Sequence, residues 1–392
     1  MREQRILLMA ELSTSVLLLF GAGASQSSGQ AFNSGSDGSY GPLKITSNTV
    51  LAMPSNGVFH CTSINIAEGV TLSFNANPLN TPVYLLAASN VSINGHIDIP
   101  GRFGSGSDGG PAGPGGFPGG KPGSGPAVPP GAGYGPGAGK GGNDDTSISG
   151  AGAGVYGALP PFGSSTNRGN TYGSPLLIPL VGGSGGGGVS GSPGAGGGGG
   201  GGAILIASNT RIDVTPNARI YAVGGAGASG AFNAGSGGAI RLVAPVIAGN
   251  GELVALGNVG AGDGRIRIDT LNRSALKLSF SPSASLGSLM MVFPNPVPHL
   301  DLVEAAGTSI PEGYPDPVVV ILPSGSPSNQ TVRVQARGFN NVTPITLVLT
   351  PDSGPPVTYQ AEIDNRANNP AQVTINVVVP VNVQTVFNVW TR

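Results

Sequence analysis

The chain has 392 residues and a formal net charge of −1, and only 9% of its residues are charged. An ordinary soluble domain has about 25% charged residues, and nucleic-acid-binding proteins carry a basic surplus that neutralises phosphates. The balance of 18 basic against 19 acidic residues therefore excludes nucleic acid as an expected partner. Glycine contributes 69 residues and proline 35, but glycine does not recur at every third position, which excludes a collagen helix.

The first 25 residues have the pattern of a secretory signal peptide. Met1–Arg5 carries positive charges, Ile6–Phe20 is mostly apolar, and Gly21–Ser25 consists of small residues. Polar residues interrupt the apolar run, which disfavours a membrane-spanning helix. We therefore predict a secreted protein, extracellular or at the cell surface. Its leader over 1–25 would be cleaved, a flexible lead would follow over 26–42, and the mature chain would not span a membrane.

Short apolar runs with glycine-rich connections recur through the next part of the chain. Val83–Asn90, Ala203–Asn209 and Ala239–Ala244 resemble one another, and each is followed by a second β-type run and then by glycine. One such unit cannot bury its apolar face alone, whereas stacked copies form a continuous core. The repeat predicts a parallel β-helix (a β-solenoid), with N-terminal rungs over 43–100 and C-terminal rungs and a bridge over 203–304.

Residues 101–202 form an insertion between the two sets of rungs, and it is very rich in glycine and proline. Two interpretations stay open. This composition is typical of a disordered linker. Glycine also permits a packed bundle of extended segments of the polyproline II type, here polyglycine II, because segments without Cβ atoms approach closely. Interleaved aromatic residues and the apolar run Pro175–Val181 favour the bundle, since structureless loops of this length are uncommon inside compact domains.

The composition changes from about Ala305, where glycine becomes scarce and β-branched residues dominate. Apolar runs follow one another at regular spacing, with Pro, Gly, Asn and Asp between them, which is typical of strands and turns. The sequence therefore predicts an Ig-like β-sandwich over 305–392, and the chain as a whole belongs to the all-β class. The six predicted strands are Val318–Leu322, Thr331–Ala336, Ile345–Leu349, Val357–Ile363, Val373–Val379 and Val386–Trp390.

The segment Tyr172–Gly186 reads YGSPLLIPLVGGSGG, and more glycine and the run Ala203–Ser208 follow it. Over most of the mature chain, this pattern resembles a group of uncharacterised secreted, glycine-rich bacterial proteins of the β-helix type with a C-terminal Ig-like domain. The resemblance implies secretion and a glycine-rich β-architecture, and it implies no activity. The insertion is similar in composition to the polyglycine II regions of phage tail-tip adhesins and of some ice-binding proteins.

Enzymes that cleave polysaccharides need paired carboxylates on one face of the fold. Alignment of the repeats places no two carboxylates in one column. The best candidate for a catalytic site is the column of His96, Arg219 and Glu252. The alternative is a solvated face with incidental ion pairs.

Candidate metal ligands and nucleophiles are few. Asp144 and Asp145 form either a loop turn or a weak calcium site. Asp263 lies in a Gly-Asp-Gly sequence similar to the calcium turns of β-roll repeats, but this sequence occurs once. The single cysteine, Cys61, cannot form an intrachain disulfide and is predicted to be a buried strand residue. We expect no cofactor.

These features together favour a non-enzymatic structural or adhesive surface protein. Such a scaffold would associate with itself into fibres or contact extracellular carbohydrate, and the aromatic residues of the insertion, Phe117, Tyr134, Tyr156 and Tyr172, are its candidate contact residues. The alternative is a β-helical protein that binds or degrades polysaccharide. A further alternative is an ice-binding protein, which needs a flat and regular face.

Overall fold

Apolar and polar residues alternate along most of the predicted runs, and these runs form strands because alternate side chains point to opposite faces. The computed structural model describes residues 32–124, 128–142, 150–160, 167–191, 194–228, 233–314 and 316–391. These residues form strands and no helix, which confirms the all-β class. The predicted leader over 1–25 lies outside the described residues.

Two parallel sheets make up the first part of the fold, up to residue 287. The nine-stranded sheet contains β1, β3, β5, β6, β8, β9, β11, β13 and β15, and the six-stranded sheet has the order β14-β12-β10-β7-β4-β2. The strands are β1 (Gly41–Ile45), β2 (Thr49–Ala52), β3 (Val58–Ile66), β4 (Thr71–Asn75), β5 (Val83–Ala87), β6 (Val91–Ile93), β7 (His96–Asp98), β8 (Ala203–Ser208), β9 (Arg211–Val214), β10 (Arg219–Tyr221), β11 (Ala239–Gly249), β12 (Glu252–Val254), β13 (Arg265–Asn272), β14 (Ser279–Ser281) and β15 (Ser285–Gly287).

The main core lies between these two sheets and is built from rows of side chains in register. In the six-stranded sheet, Leu72, Ile97, Ile220 and Leu253 lie on adjacent strands, and all four are fully buried. Cys61 is buried in the same core, as predicted. Burial raises the pKa of its thiol to about 11, because a desolvated thiolate is disfavoured.

The predicted β-helix is wrong. The repeats predicted a turn between the two runs of each unit, so that each unit would form a separate rung. The chain instead stays extended through β3 and β11, and each of these strands pairs with two neighbours at once. β3 pairs with β5 and β6, β11 pairs with β8 and β9, and the pairs β5–β8 and β6–β9 complete the circuit. Six parallel strands are therefore closed into one ring of pairings, with further parallel strands attached to it.

A second apolar core covers the outer face of the nine-stranded sheet. It joins residues of β5, β8 and β11 to Tyr156, Leu177, Leu180 and Val292. Strand β8 is therefore buried on both faces, which explains the continuous apolar run from Ala203 to Ala207.

The lead into the first strand is packed from Phe32 onward, so the prediction of a flexible segment over 26–42 is wrong for its described part. The hydroxyl of Ser34 is buried and donates to the carbonyl of Ala87 at 2.8 Å. The hydroxyl of Ser36 donates to the carbonyl of Cys61 at 2.7 Å. These bonds hold the lead against β3 and β5.

The described segments of 101–202 pack side by side, and their backbones are hydrogen-bonded to one another. The seven consecutive glycines of Gly196–Gly202 donate in turn to three neighbouring segments, with a period of three residues. Three residues per turn is the repeat of an extended threefold helix. The acceptors of residues 196 to 202 are, in order, the carbonyls of Ser105, Gly120, Asn233, Arg102, Phe117, Ser236 and Ile99. A disordered linker is therefore the wrong description of these described segments.

The packing of these segments leaves no space for side chains at many glycines. A Cβ atom on Gly199 would lie 2.2 Å from the carbonyl oxygen of Pro111. A Cβ atom on Gly237 would lie 1.9 Å from the carbonyl oxygen of Ala255. Contacts this short are with backbone atoms, which cannot turn away as a side chain can.

The C-terminal strands form a four-stranded sheet of order β17-β16-β18-β21 and a three-stranded sheet of order β20-β19-β22, and both are antiparallel. A third apolar core draws its residues from both sheets. The strands are β16 (His299–Ala305), β17 (Thr308–Ser309), β18 (Asn329–Arg337), β19 (Val342–Pro351), β20 (Val357–Asp364), β21 (Ala371–Val378) and β22 (Thr385–Thr391).

The Ig-like assignment is also wrong. The predicted first strand, Val318–Leu322, forms no strand in the structure. The position beside β18 is occupied by β16, which comes from the bridge that was predicted to precede the domain. Since β20 remains in one sheet with its hairpin partner β19, the sheets also lack the ABED and CFG order of an Ig constant domain.

A buried cluster of charges holds the segment that follows β15 against the nine-stranded sheet. Arg241 and Asp269 are fully buried, and the Nη2 atom of Arg241 lies 3.1 Å from the Oδ2 atom of Asp269. Arg267 pairs with the other carboxylate oxygen at 2.6 Å. The same oxygen accepts from the backbone N–H of Leu289, and Arg241 donates to the carbonyl of Met291. The single negative charge of Asp269 thus faces two positively charged guanidinium groups, and the bonds to Leu289 and Met291 fix the position of the segment after β15.

We predict that Gly199→Ala lowers the free energy of unfolding by about 1–3 kcal/mol, because the new methyl group must separate two backbones. Gly106 is the matched control, since a Cβ atom there would meet only the carbonyl oxygen of Gly194 at 3.9 Å. Gly106→Ala should leave stability unchanged within about 0.5 kcal/mol or raise it slightly. Urea denaturation measures both, and equal midpoints for the two variants would contradict the packing argument.

We predict that Asp269→Asn destabilises the fold by about 3–5 kcal/mol, because it leaves two buried guanidinium groups without a counter-charge. Asp213 is the control, since its pair with Arg211 is partly exposed to solvent. Asp213→Asn should cost less than about 1 kcal/mol. Thermal unfolding of the two variants tests the difference, and a mild effect at Asp269 would exclude a structural role for the cluster.

Candidate functional site

The predicted column of His96, Arg219 and Glu252 lies on the outward face of the six-stranded sheet. β7, β10 and β12 are adjacent parallel strands, and their register places Arg219 directly opposite both other residues. The insertion does not separate these strands. The structure therefore brings the three residues together on a partly solvated face.

Arg219 is the centre of this row. Its Nε atom lies 3.0 Å from the Oε2 atom of Glu252, and both side chains are more than a third exposed. Its guanidinium carbon lies 5.3 Å from the centre of the Tyr221 ring, within the range of a cation–π contact. An exposed ion pair of this kind contributes little to stability, but the two contacts orient the guanidinium group.

A second outward row lies two residues further along the sheet, on β4, β7 and β10, and contains Ser73, Asp98 and Tyr221. Partial burial raises the pKa of Asp98 above its ordinary value, and the nearby charges of His96, Arg219 and Arg102 oppose this shift. We call the outward face formed by the two rows, His96, Arg219 and Glu252 with Ser73, Asp98 and Tyr221, the polar face. Sequence alignment found its first row and did not single out Asp98 and Tyr221 as site residues.

The four aromatic residues predicted as contact residues are buried or half-buried, and this disfavours the role most clearly for Tyr156. Tyr156 is fully buried, and its ring centre lies 4.6 Å from that of Tyr172. The Tyr172 hydroxyl donates to the carbonyl of Gly182 at 2.5 Å. Phe117 and Tyr134 are half-buried. The rings are enclosed because the glycine segments around them have no side chains to fill the same space.

Of the three candidate metal ligands, Asp263 alone lies within the described residues. Asp144 and Asp145 lie outside the described residues. Asp263 holds a turn: its carboxylate accepts from the N–H of Gly257 at 3.1 Å, and its carbonyl accepts from that of Gly157 at 2.7 Å. In the described ranges, no group of three or more His, Cys, Asp or Glu side chains is placed to hold a metal ion.

A cleft on the four-stranded sheet was missed by the sequence analysis. It has a volume of about 510 Å³ and is lined by His299, Asp301, Glu312, Gly313 and Arg337. Antiparallel pairing of β16 with β18 places His299 opposite Arg337. Glu312 folds over the sheet and accepts from Arg337 at 2.6 Å. The only sequence signal was a period-two pattern of polar residues on two runs whose pairing was unknown.

Two carboxyl groups share this cleft. Burial raises the pKa of Asp301, the neighbouring charge of Glu312 raises it further, and His299 and Arg337 oppose the shift. The Oδ2 atom of Asp301 is buried and has no hydrogen-bond partner within the described part of the chain. Such a cleft can hydrogen-bond a small polar group, but none of its lining residues is a serine, threonine or cysteine nucleophile.

Comparison of the chain with protein-family models, with curated proteins and with solved structures finds no match. No helix in the described part of the chain is long and apolar enough to cross a membrane.

We predict that Asp98→Asn gains stability relative to the unchanged protein when the pH rises from 3 to 7. The folded-state pKa of Asp98 is raised, so the contribution of its carboxyl group to stability is full below its unfolded pKa of about 3.9 and is lost as the pH rises through the folded value. The asparagine is neutral throughout and avoids this loss. Urea midpoints of both proteins at the two pH values test the prediction.

Asp364 provides a control of opposite sign. Its hydrogen bond to the Arg366 side chain lowers its pKa to about 2, so its contribution is present at neutral pH and is lost in acid. Asp364→Asn should therefore lose stability relative to the unchanged protein over the same rise in pH. A difference between Asp98→Asn and the unchanged protein that is equal at both pH values would refute the burial argument for Asp98.

Proposed function

We propose that the protein is a secreted, non-enzymatic structural or adhesive surface protein that acts as a rigid scaffold. The observation that carries this proposal is the backbone-to-backbone packing of the glycine segments described above. Hydrogen bonds run from Gly196–Gly202 into three neighbouring segments, so movement of one segment requires the others to move. Rigidity of this kind needs neither a disulfide nor a metal ion.

The C-terminal sheets are attached to this scaffold by side-chain bonds. The Nζ atom of Lys121 lies 2.6 Å from the Oδ2 atom of Asp352, and the Tyr134 hydroxyl donates to Oδ1 of the same carboxylate at 3.3 Å. The hydroxyl of Ser353 donates to the carbonyl of Pro129 at 2.9 Å. These bonds give a path by which force on the C-terminal sheets would reach the glycine segments.

Secretion is part of the same proposal and is supported by the signal-peptide pattern of residues 1–25. The low charge of the chain and its exposed strand edges also support association of copies into fibres, because edge backbone groups are free to pair with another chain.

The polar face supports a second, more specific proposal, which is contact with extracellular carbohydrate. Sugar hydroxyl groups suit carboxylate and guanidinium partners, and an aromatic ring beside them suits the apolar face of a sugar. Asp98, Arg219 and Tyr221 provide these three groups on adjacent strands. Their strands hold them at fixed spacing, which favours repeated contact with an extended polysaccharide.

Polysaccharide cleavage is less well supported than binding. Asp98 and Glu252 lie two strands and two residues apart, so ordinary sheet spacing separates their Cα atoms by roughly 12 Å. The carboxyl groups of glycosidase pairs are about 5–5.5 Å or 6.5–9.5 Å apart, so these two side chains would have to lean toward each other across the strand of Arg219 to reach either spacing. Arg219 also binds Glu252 directly. An ice-binding role is less well supported, because the first row mixes an imidazole, a guanidinium and a carboxylate.

The deciding experiment incubates the purified chain, without its first 25 residues, with a panel of soluble and insoluble polysaccharides. Pelleted protein and newly released sugar ends are assayed together, and the protein alone is imaged by electron microscopy. Pelleting or fibres without released ends would support the proposal. Released ends would overturn it in favour of an enzyme, and thermal hysteresis in the same preparation would favour ice binding.

We predict that Tyr221→Ala weakens binding to the polysaccharide by about tenfold or more, because loss of a central aromatic contact removes at least about 1–2 kcal/mol. Phe103 is the control, since its ring is 71% exposed and belongs to the glycine region, in neither row of the polar face. Phe103→Ala should bind normally. The reverse result, with weak binding only for Phe103→Ala, would transfer the contact surface to the glycine segments.

A further inference from the structure

The C-terminal strand β22 is the last strand at one edge of the three-stranded sheet. In the described part of the chain it pairs with β19 alone. All seven of its residues, including Phe387, Val389 and Trp390, are half-exposed. No residue of β22 is charged. An uncharged edge strand with partly exposed apolar side chains is a template for a further strand.

A second feature of the same region is an apolar run without a partner. Val318–Leu322 consists of β-branched residues and leucine, and it lies between Pro317 and Pro323. Its high β-propensity predicted a strand, but the structure places it in neither sheet. Val319 is 81% exposed and Ile321 is 86% exposed. These are the two highest exposures among the large hydrophobic residues of the described chain.

We propose that the two features bind each other between copies of this chain: Val318–Leu322 of one copy adds as a strand to the edge of β22 in a second copy. Both partners are apolar and uncharged, and a run of five residues is short enough to lie along a strand of seven. Backbone hydrogen bonds would supply affinity, and alternate side chains would cover the exposed part of Phe387 and Val389, as in strand-addition complexes.

Edge strands that carry charged residues or proline fit this partner less well. β20 carries Glu362 and Asp364, and β1 contains Pro42 and Lys44. Charged residues and proline are the features by which edge strands resist pairing. β22 has neither.

This contact can join several copies into rings or filaments. The donated run and the accepting edge are different surfaces of one copy, so each added copy leaves one of each free. Contacts of this head-to-tail type form rings or filaments. The inference rests on the proposed scaffold function and specifies how its copies would associate.

The first test measures assembly of the chain without its first 25 residues by analytical ultracentrifugation over a range of concentrations. We expect concentration-dependent oligomers. The double substitution Val319→Lys and Ile321→Lys should raise the concentration of half-assembly by roughly tenfold or more, because lysines on an added strand oppose pairing. Both side chains are exposed, so the fold of the single copy should be unaffected. The double control, Leu271→Lys and Val381→Lys, changes two other exposed residues and should assemble normally.

The second test identifies the contact itself. Ile321→Cys protein is mixed with Asn388→Cys protein and oxidised, and a disulfide between the two proteins reports the pairing. The native Cys61 is buried and will not compete. Leu271→Cys replaces Ile321→Cys in the control mixture and should give no cross-link to Asn388→Cys.

A chain that remains monomeric at all concentrations, or oligomers that the lysine pair does not weaken, would overturn the inference. An absent cross-link between positions 321 and 388 would do the same. Neither result removes the scaffold proposal, which fails separately if sugar ends are released in the polysaccharide assay.

Discussion

The close approach of backbone to backbone is the constraint on which the rest of the structure depends. The N–H of Gly101 donates to the carbonyl of Val223, and that of Gly224 donates to the carbonyl of Leu256. These bonds continue the order of β7, β10 and β12 beyond the ends of the strands. The glycine segments therefore extend the stacking of the parallel sheet, and they do so only because no Cβ atom separates them. A side chain in this region would break hydrogen bonds to several segments at once.

This constraint also influences where a ligand can bind. The glycine segments and both faces of β8 are used for packing, so the groups available for recognition lie on outward rows of strands and in the cleft beside β16. Arg219 is held by Glu252 and Tyr221, and Asp98 lies next to it on a neighbouring strand. Groups held in this way are well suited to binding a regular polymer. They are less suited to cleavage of a glycosidic bond, which in most glycosidases uses two carboxyl groups close to that bond.

Sequence patterns over a few residues correctly predicted the features that depend only on the local geometry of a strand. The period of two placed His96, Arg219 and Glu252 in one row and turned Cys61 into the core. Five of the six C-terminal strands were also found, with small errors at their ends. The ring of six strands was missed because turn propensity did not show that β3 and β11 stay extended. The cleft was missed because it depends on which run pairs with β18, and the burial of Tyr156 depends on glycines distant in sequence.

The absence of the predicted strand at Val318–Leu322 has a physical cause. This run has the β-propensity of a strand, but β16 already occupies that edge of β18. The run therefore forms no strand in its own copy. Burial of Val319 and Ile321 would gain about 1.5–3 kcal/mol for each side chain. Association of two proteins costs about 4–15 kcal/mol in lost freedom. The gain and the cost are of similar size, so single contacts between copies would be weak and reversible. Stable assemblies would then need high local concentration, which a surface that binds many copies side by side would provide.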